Sequence, residues 1–455
     1  MHYEKFADGS VKCIEDEIPF ELPQGWEWTR LGVIFSHNTG KALNSKSQVG
    51  NPYTYITTSN LYWNRFELTD LKQMLFTDAE LEKCTVKKGD LLVCEGGDIG
   101  RSAIWENDDE IRIQNHIHKM RPYIKLNIKF YYYVLYLYKH TERINGKGIG
   151  IQGLSSNQLH SLLFPLPPIN EQNIIANKIN GYFEYIDFLE KEKSNLSSAI
   201  QATKSKILDF AIRGKLVPQD PNDEPASVLL ERIRAEKEEL IKQGKIKRDK
   251  RESVIFKGED NSYYLTTSDN KSYEEQFLFD LPLGWAWCSL NDIAKIDLGK
   301  TLDKAKNTGD YYQYLRSVNV RWGNSDLSDL NEMRFEENEL ERYRVQKYDL
   351  LICEGGDVGR SCVWTSNNTI YYQNALHRVR FYKECNPFFF MYYMMYYESK
   401  GIIKSLCKGV TIKHLTGNVL NTIPFALPPL PEQYRIVTAI ETIFTQLDEI
   451  SESLS

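Results

Sequence analysis

The residues best equipped for chemistry come as a set and come twice: Glu95, Asp98 and Arg101 in the stretch EGGDIGR, and Glu354, Asp357 and Arg360 in EGGDVGR. Paired carboxylates at this spacing suit a divalent metal, but a metal-dependent nuclease also needs a further acidic ligand and a nearby lysine or histidine. Neither copy has those beside it in the chain. The glycines fit a tight turn between two strands, where positive φ is required, with the carboxylates satisfying backbone amides. Arg101 and Arg360, just past the turn, are placed for a phosphate or for an ion pair.

Other chemical motifs fail on context. GIGIQG, from Gly148 to Gly153, matches a dinucleotide fingerprint, yet prolines at 165, 167 and 168 follow where a helix should open. GKT at Gly299–Thr301 lacks the upstream glycine of a phosphate loop, since Ala294 stands there, and the earlier copy reads Gly40, Lys41, Ala42. The methyltransferase-like Asn386-Pro387-Phe388 aligns with Asn127-Ile128-Lys129, so both asparagines read as helix caps. His118 and His377 are equivalent and read as structural, with no Ser-His-Asp spacing around them. The eight cysteines form no CxxC pair, and Cys94 and Cys353 lie in apolar runs, so all read as reduced thiols and not as metal ligands.

The elements that must hold these residues repeat at long range. DLLVCEGGDIGRSAIW from Asp90 returns as DLLICEGGDVGRSCVW 259 residues later; LPQGWEW and QNHIHKMR return at the same offset as LPLGWAW and QNALHRVR. FPLPPINEQ at Phe164 returns as FALPPLPEQ at Phe425, an offset of 261. A period this long means a duplicated domain and not a solenoid. Each copy runs through short β-like stretches, the glycine turn, an aromatic helix (FYYYVLYLY and FFFMYYMMYY) and a Pro-Pro pair. That order predicts an α+β globule with a mainly antiparallel sheet.

After Pro168 the pattern changes to a heptad: Ile175, Ile179, Tyr182, Ile186, Leu189, Leu196, Ile200, Thr203, Ile207 and Phe210 follow 4-3 spacing with one break at Lys193. The helix from Asn170 to Ile212 would be about 65 Å long. The second copy carries Ile436, Ile440, Ile443, Leu447, Ile450 and Leu454 in the same register. Two heptad helices in one chain predict an antiparallel coiled coil. The organisation is therefore a first domain at 1–168, a heptad helix at 169–213, a linker at 214–275 with a charged helix from Ala226 to about Lys242, a second domain at 276–428, and a short second heptad helix at 429–455.

Net charge is −6 and no apolar run is long enough for a membrane span or signal peptide, which predicts a cytoplasmic protein with no membrane partner. A weakly acidic total does not exclude DNA, because phosphates meet a local surface. The basic run Lys245–Arg251 reads as a solvated face.

The chain resembles the specificity subunit of type I restriction-modification systems. The resemblance rests on Leu22-Pro23-x-Gly25-Trp26 and Leu281-Pro282-x-Gly284-Trp285, on the glycine turns ending at Arg101 and Arg360, and on Pro167-Pro168-x-x-Glu171-Gln172 with Pro428-Pro429-x-x-Glu432-Gln433. GKLVPQDPNDEPAS, from Gly214 to Ser227, is similar to that family's central conserved region. The resemblance implies two target-recognition domains, each reading half of a bipartite site in double-stranded DNA, separated by helices that fix the gap. It implies methyltransferase subunits as partners, with restriction and motor subunits able to join. The chain itself would be non-catalytic and bind no cofactor; S-adenosylmethionine, ATP and magnesium would belong to the partners. The second heptad helix is about half as long as the first, and HYEKFADGS looks like the late part of a linker, which predicts a rod completed by another chain or by self-association.

Shared residues should do shared jobs, and base reading should sit where the copies differ. Thr57, Thr58, Asn60, Tyr62 and Arg65 stand opposite Arg316, Ser317, Asn319, Arg321 and Asn324; Lys147, Gly150, Gln152 and Gly153 stand opposite Lys408, Thr411, Lys413 and His414. Arg316, Arg321 and Lys413 are expected to read bases in one half-site, and Gln152 and Tyr62 in the other. Lys147 and Lys408 occur in both copies and are expected at phosphates. Two other classes stay open: a protein-binding scaffold that never touches DNA, and an enzyme using the EGGD turns as metal sites. A specificity component for a fused methyltransferase-nuclease is a closer variant.

Overall fold

The structure, a computed structural model, describes all residues except 44–48, 145–152, 247, 249–252, 268–270, 304, 383–384, 408–413 and 454–455. The chain divides into two compact units, Met1–Glu190 and Lys191–Ser455.

Unit 1 is built on two four-stranded sheets. The first is antiparallel, in the order Ser102–Ile104, Leu91–Cys94, Ile117–Pro122, Phe35–Thr39. The second runs Lys72–Phe76, Asn51–Ile56, Ile111–Ile113, Thr85–Val86, and its middle pair is parallel. The strand run LLVC explains how the two are joined. Side chains alternate along a strand: Leu91 and Val93 enter the core under the aromatic helix, while Leu92 and Cys94 enter the core of the second sheet. All four are fully buried, and each large aliphatic buried in this way contributes about 1.5–3 kcal/mol. Unit 2 repeats the plan: Leu350 and Ile352 face one core, and Leu351 and Cys353 the other. The mainly antiparallel α+β reading holds, with one parallel pair per unit that alternation alone does not reveal.

The aromatic helices are α1 (Ile128–His140) and α4 (Pro387–Ser399), capped by the side chains of Asn127 and Asn386 as expected. The long heptad helix is α2, Ile169–Ile212, the charged helix is α3, Ala226–Lys242, and the second heptad helix is α5, Leu430–Glu452. Within unit 2, α2 and α5 lie side by side and antiparallel: Lys204 pairs with Asp448, and Leu208, one turn on, shares a groove with Phe444, one turn back.

The Trp and Glu-Gln motifs prove to be halves of one joint. Trp26 Nε1 donates to Glu171 at 2.8 Å, and Trp285 Nε1 to Glu432 at 3.0 Å. Gln172 accepts from the Asn127 amide at 2.9 Å and donates to the Pro167 carbonyl at 2.8 Å. Gln433 does the same with Asn386 and Pro428. Each heptad helix is thereby pinned to the aromatic helix and to the entry strand of its own copy.

One expectation is corrected. Residues 214–275 are more than a linker with a helix, because Ser253–Lys257, Tyr263–Thr267 and Ser272–Glu275 form a three-stranded antiparallel sheet. Its last two strands correspond to the hairpin Tyr3–Lys5 and Val11–Cys13 in unit 1. The alternating Tyr and Thr residues there were masked by the surrounding charge.

Candidate nucleic-acid interface

The EGGD turns join two adjacent antiparallel strands, and the second and last glycines take positive φ, at 73° and 81° for Gly97 and Gly100 and at 77° and 83° for Gly356 and Gly359. A side chain there would be strained, which accounts for the glycines. Contrary to expectation, among the described residues the carboxylates pair with side chains and not with backbone amides. Asp98 pairs with the Lys139 ammonium at 3.0 Å and the Arg101 guanidinium at 3.9 Å, Glu95 lies 3.5 Å from His116, and Asp357 pairs with Arg360. Among the described residues no group of three His, Cys, Asp or Glu is arranged to hold a metal.

Around each turn the structure gathers a hairpin that differs between the copies and, on the other side, the residues that follow the second differing stretch. In unit 1 a short 3-10 turn, Thr58–Asn60, leads into a hairpin, Leu61–Tyr62 and Arg65–Phe66, with Trp63 and Asn64 at its tip. The Asn64 amide donates to Ser102 O at 3.2 Å, and Arg101 Nη2 donates to Thr58 O at 2.6 Å. On the other side the Leu154 amide donates to Glu95 O at 2.8 Å, so the chain leaving the 145–152 stretch returns onto the same turn. Unit 2 matches bond for bond: Gly323 to Ser361 O at 3.1 Å, Arg360 to Ser317 O at 2.9 Å, and Leu415 to Glu354 O at 2.9 Å. His414 is exposed and its ring lies against Gly355.

The candidates now separate. Asn60 and Asn319 are buried and their amides are spent, so they are withdrawn as base readers: Asn319 accepts from the Arg316 amide at 2.9 Å and donates to the Asp326 and Asp329 carbonyls at 3.0 and 2.9 Å. Asn60 accepts from the Thr57 amide and donates to Glu67 O. Arg101 and Arg360 keep only 18% and 13% of their side chains exposed and grip backbone and carboxylates within the domain, so the structure favours the ion-pair role over the phosphate one. Arg316, at 24% exposure, is held by Asp329 at 2.7 Å. Thr57, Thr58 and Ser317 are half-buried, and Thr58 and Ser317 act through their carbonyls.

The exposed groups are Arg65 in unit 1, beside a half-buried Tyr62, and Arg321 with Asn324 in unit 2. The Arg65 guanidinium lies 4.6 Å from the Tyr62 ring centre, and Arg101 lies 5.2 Å from the same ring. A tyrosine ring between two cations is stabilising by cation–π attraction. In unit 2 Arg321 takes the position of Tyr62, 53% exposed and 3.5 Å from Asp326. Lys147, Gln152, Lys408, Thr411 and Lys413 lie outside the described residues.

The lysines of the GK motifs are held by carboxylates of their own domain. Lys41 pairs with Glu80 at 2.6 Å and Lys300 with Glu339. A Cβ on Gly40 or Gly299 would stand 2.2 or 2.3 Å from the backbone of Gln114 or Gln373, so these glycines serve a close strand crossing. His118 and His377 are buried and each Nε2 is bonded to a carbonyl, Leu154 O at 2.7 Å and Leu415 O at 2.9 Å. Sequence reading missed that His118 continues into a chain with His37, at 2.7 Å, whose ring centre lies 4.6 Å from that of His160. Burial and the neighbouring histidines push the His37 pKa down to about 3.

A duplicated α+β chain that repeats one recognition surface with different outward residues is a two-headed binding protein, and comparison with known proteins identifies which kind. The family model for the type I restriction modification DNA specificity domain matches residues 23–198 and 282–454, and the chain belongs to that family. It is 26% identical to the type I restriction enzyme EcoEI specificity subunit of Escherichia coli, over 98% of this chain and 82% of that one. It is 25% identical to the EcoAI specificity subunit of the same species, over 96% and 80%. Its fold is similar to a chain solved in work on complex assembly and conformational transition of the type I R-M system, with a TM-score of 0.64 at 16% identity, covering 96% of this chain and 94% of that one. It is also similar to the HsdS subunit of Thermoanaerobacter tengcongensis, with a TM-score of 0.54 at 16% identity and the same coverage. The chain is a non-catalytic DNA-specificity subunit.

Proposed function

We propose that each unit reads one half of a bipartite site in double-stranded DNA through its hairpin and through the second stretch that differs between the copies, residues 147–153 in one and 408–414 in the other. The observation that carries this reading is the pair of equivalent hairpins, fastened by the same backbone bonds but presenting Tyr62 and Arg65 in one copy and Arg321 and Asn324 in the other. Arginine pairs with guanine O6 and N7, and polar side chains discriminate other base edges. Arg316, Lys413, Gln152 and His414 are secondary base contacts in this reading, and Lys147 and Lys408 meet phosphates.

The chain works with methyltransferase subunits, and restriction or motor subunits join them; S-adenosylmethionine, ATP and magnesium act on those partners. No described helix is long and apolar enough to cross a membrane, and we place the complex in the cytoplasm with its DNA. The test is to co-express the chain with its methyltransferase subunits and map N6-methyladenine by long-read sequencing. A split motif with a fixed gap is expected. A soluble complex that methylates no split motif counts against the reading and favours a protein-binding scaffold.

A further inference from the structure

The two hairpins are fastened alike but stand on different ground. In unit 1 the tip residue Trp63 is half-buried, and its ring centre lies 6.1 Å from Tyr132, 5.0 Å from Tyr136 and 5.9 Å from His140, all on α1. Trp63 and Tyr136 meet edge-on at 76°. Tyr136 and Tyr133 in turn meet Phe183 of α2 at 5.8 and 5.9 Å. A run of rings therefore joins the hairpin tip to the heptad helix, and each such contact stabilises beyond the area it buries.

The repeat offset of 259 puts Trp322 at the position of Trp63, but Met391, Met395 and Ser399 at those of Tyr132, Tyr136 and His140. The lower part of the run survives, since Tyr392 and Phe444, at the positions of Tyr133 and Phe183, meet at 5.9 Å and 84°. The upper part does not. Trp322, Phe388, Met391, Met395 and Phe444 border an open cavity of about 510 Å³, and Trp322 borders a second of about 340 Å³ with the glycine turn. Unfilled space forfeits dispersion contacts, and a methionine, with three rotatable bonds, holds a neighbour less firmly than a ring does. The backbone bond at each tip is equivalent, Asn64 to Ser102 O at 3.2 Å and Gly323 to Ser361 O at 3.1 Å. What differs beneath the tips is the packing.

We propose that Trp63 and Trp322 are positioning residues that tie each hairpin to its aromatic helix, firmly in unit 1 and loosely in unit 2, so that the second hairpin shifts against its half-site and reads it less stringently. The tie is argued from the packing alone; the effect on stringency rests on the DNA reading above.

The test begins with native-state hydrogen exchange on the full chain. The Gly323 amide should be about two- to twelvefold less protected than that of Asn64, the range of an aromatic pair. Met395→Tyr, which enlarges a half-buried side chain into the cavity, should raise Gly323 protection by a similar factor and leave Asn64 unchanged. Trp63→Leu should lower Asn64 protection by the same factor, and Trp63→Phe should restore most of it; these two variants decide the matter if Met395→Tyr does not fold. The tie is overturned if the two wild-type amides are equally protected, or if Asn64 ignores Trp63→Leu. The second measurement uses the complex with methyltransferase subunits, on sites carrying one substituted base in either half. Met395→Tyr should sharpen discrimination in the second half-site by about two- to twelvefold with the preferred bases unchanged, and leave the first half-site as it was. Discrimination that stays flat while exchange responds overturns the stringency effect. A complex that methylates no split motif overturns the DNA reading instead, and the exchange results still decide the tie.

Discussion

Asn319→Ala distinguishes a residue that builds the hairpin from one that reads DNA. Asn319 is 2% exposed and its side chain makes three bonds to backbone, to the Arg316 amide and the Asp326 and Asp329 carbonyls. A typical bond of this kind contributes about 1 kcal/mol net, and a buried donor left unpaired costs more. The two carbonyls lie in an exposed loop and water can take over part of their bonding; the half-buried Arg316 amide has less access. The sum is about 2–3 kcal/mol. Native-state hydrogen exchange of the 316–326 amides reads this directly, and protection is expected to fall about 30- to 150-fold. DNA affinity should fall in that half-site without a change in preferred bases. The reasoning is refuted if exchange changes less than about threefold while the preferred bases change, because Asn319 would then contact DNA.

Three further outcomes follow from the geometry. Arg321→Ala removes an exposed cation, so stability should stay within about 0.5 kcal/mol, while competition assays with one half-site randomised should show a loss of about 1–3 kcal/mol confined to that half. Asp349→Ala strips a carboxylate 2% exposed from its bidentate partner Arg380, at 2.8 and 2.7 Å, and from the Gln346 amide; urea unfolding should show a cost of about 3 kcal/mol. His37 titrates near 6.5 when unfolded and about 3 when folded, so between those values the unfolded chain binds the extra proton. Its contribution is complete above about pH 6.5 and is lost as pH falls, with a slope of at most about 1.4 kcal/mol per pH unit. His37→Phe should flatten that part of the stability profile.

Much of this molecule is legible in sequence because duplication repeats every signal. The glycine turn, both aromatic helices, their asparagine caps and the long heptad were readable from spacing alone. The joint between Trp26 and Glu171 was not, because its halves are 145 residues apart, although finding both motifs together in each copy was the available clue. The parallel strand pair was hidden because side-chain alternation carries no direction. At the candidate interface, comparing the copies picked out the stretches that differ but could not tell Asn319 from Arg321; only burial separates an amide spent on backbone from a cation facing water.

The buried fasteners of the hairpins grip main chain: Arg101 on the Thr58 carbonyl, Arg360 on the Ser317 carbonyl, and the asparagines on neighbouring amides and carbonyls. None of these hydrogen bonds is made to the side chain of Tyr62, Arg65, Arg321 or Asn324. On the proposed reading these side chains can be exchanged while their mounting stays fixed, so a new target can be acquired by a few substitutions with no repair of the core. On that reading the same gene can drift between recognition sequences without passing through an unfolded ancestor.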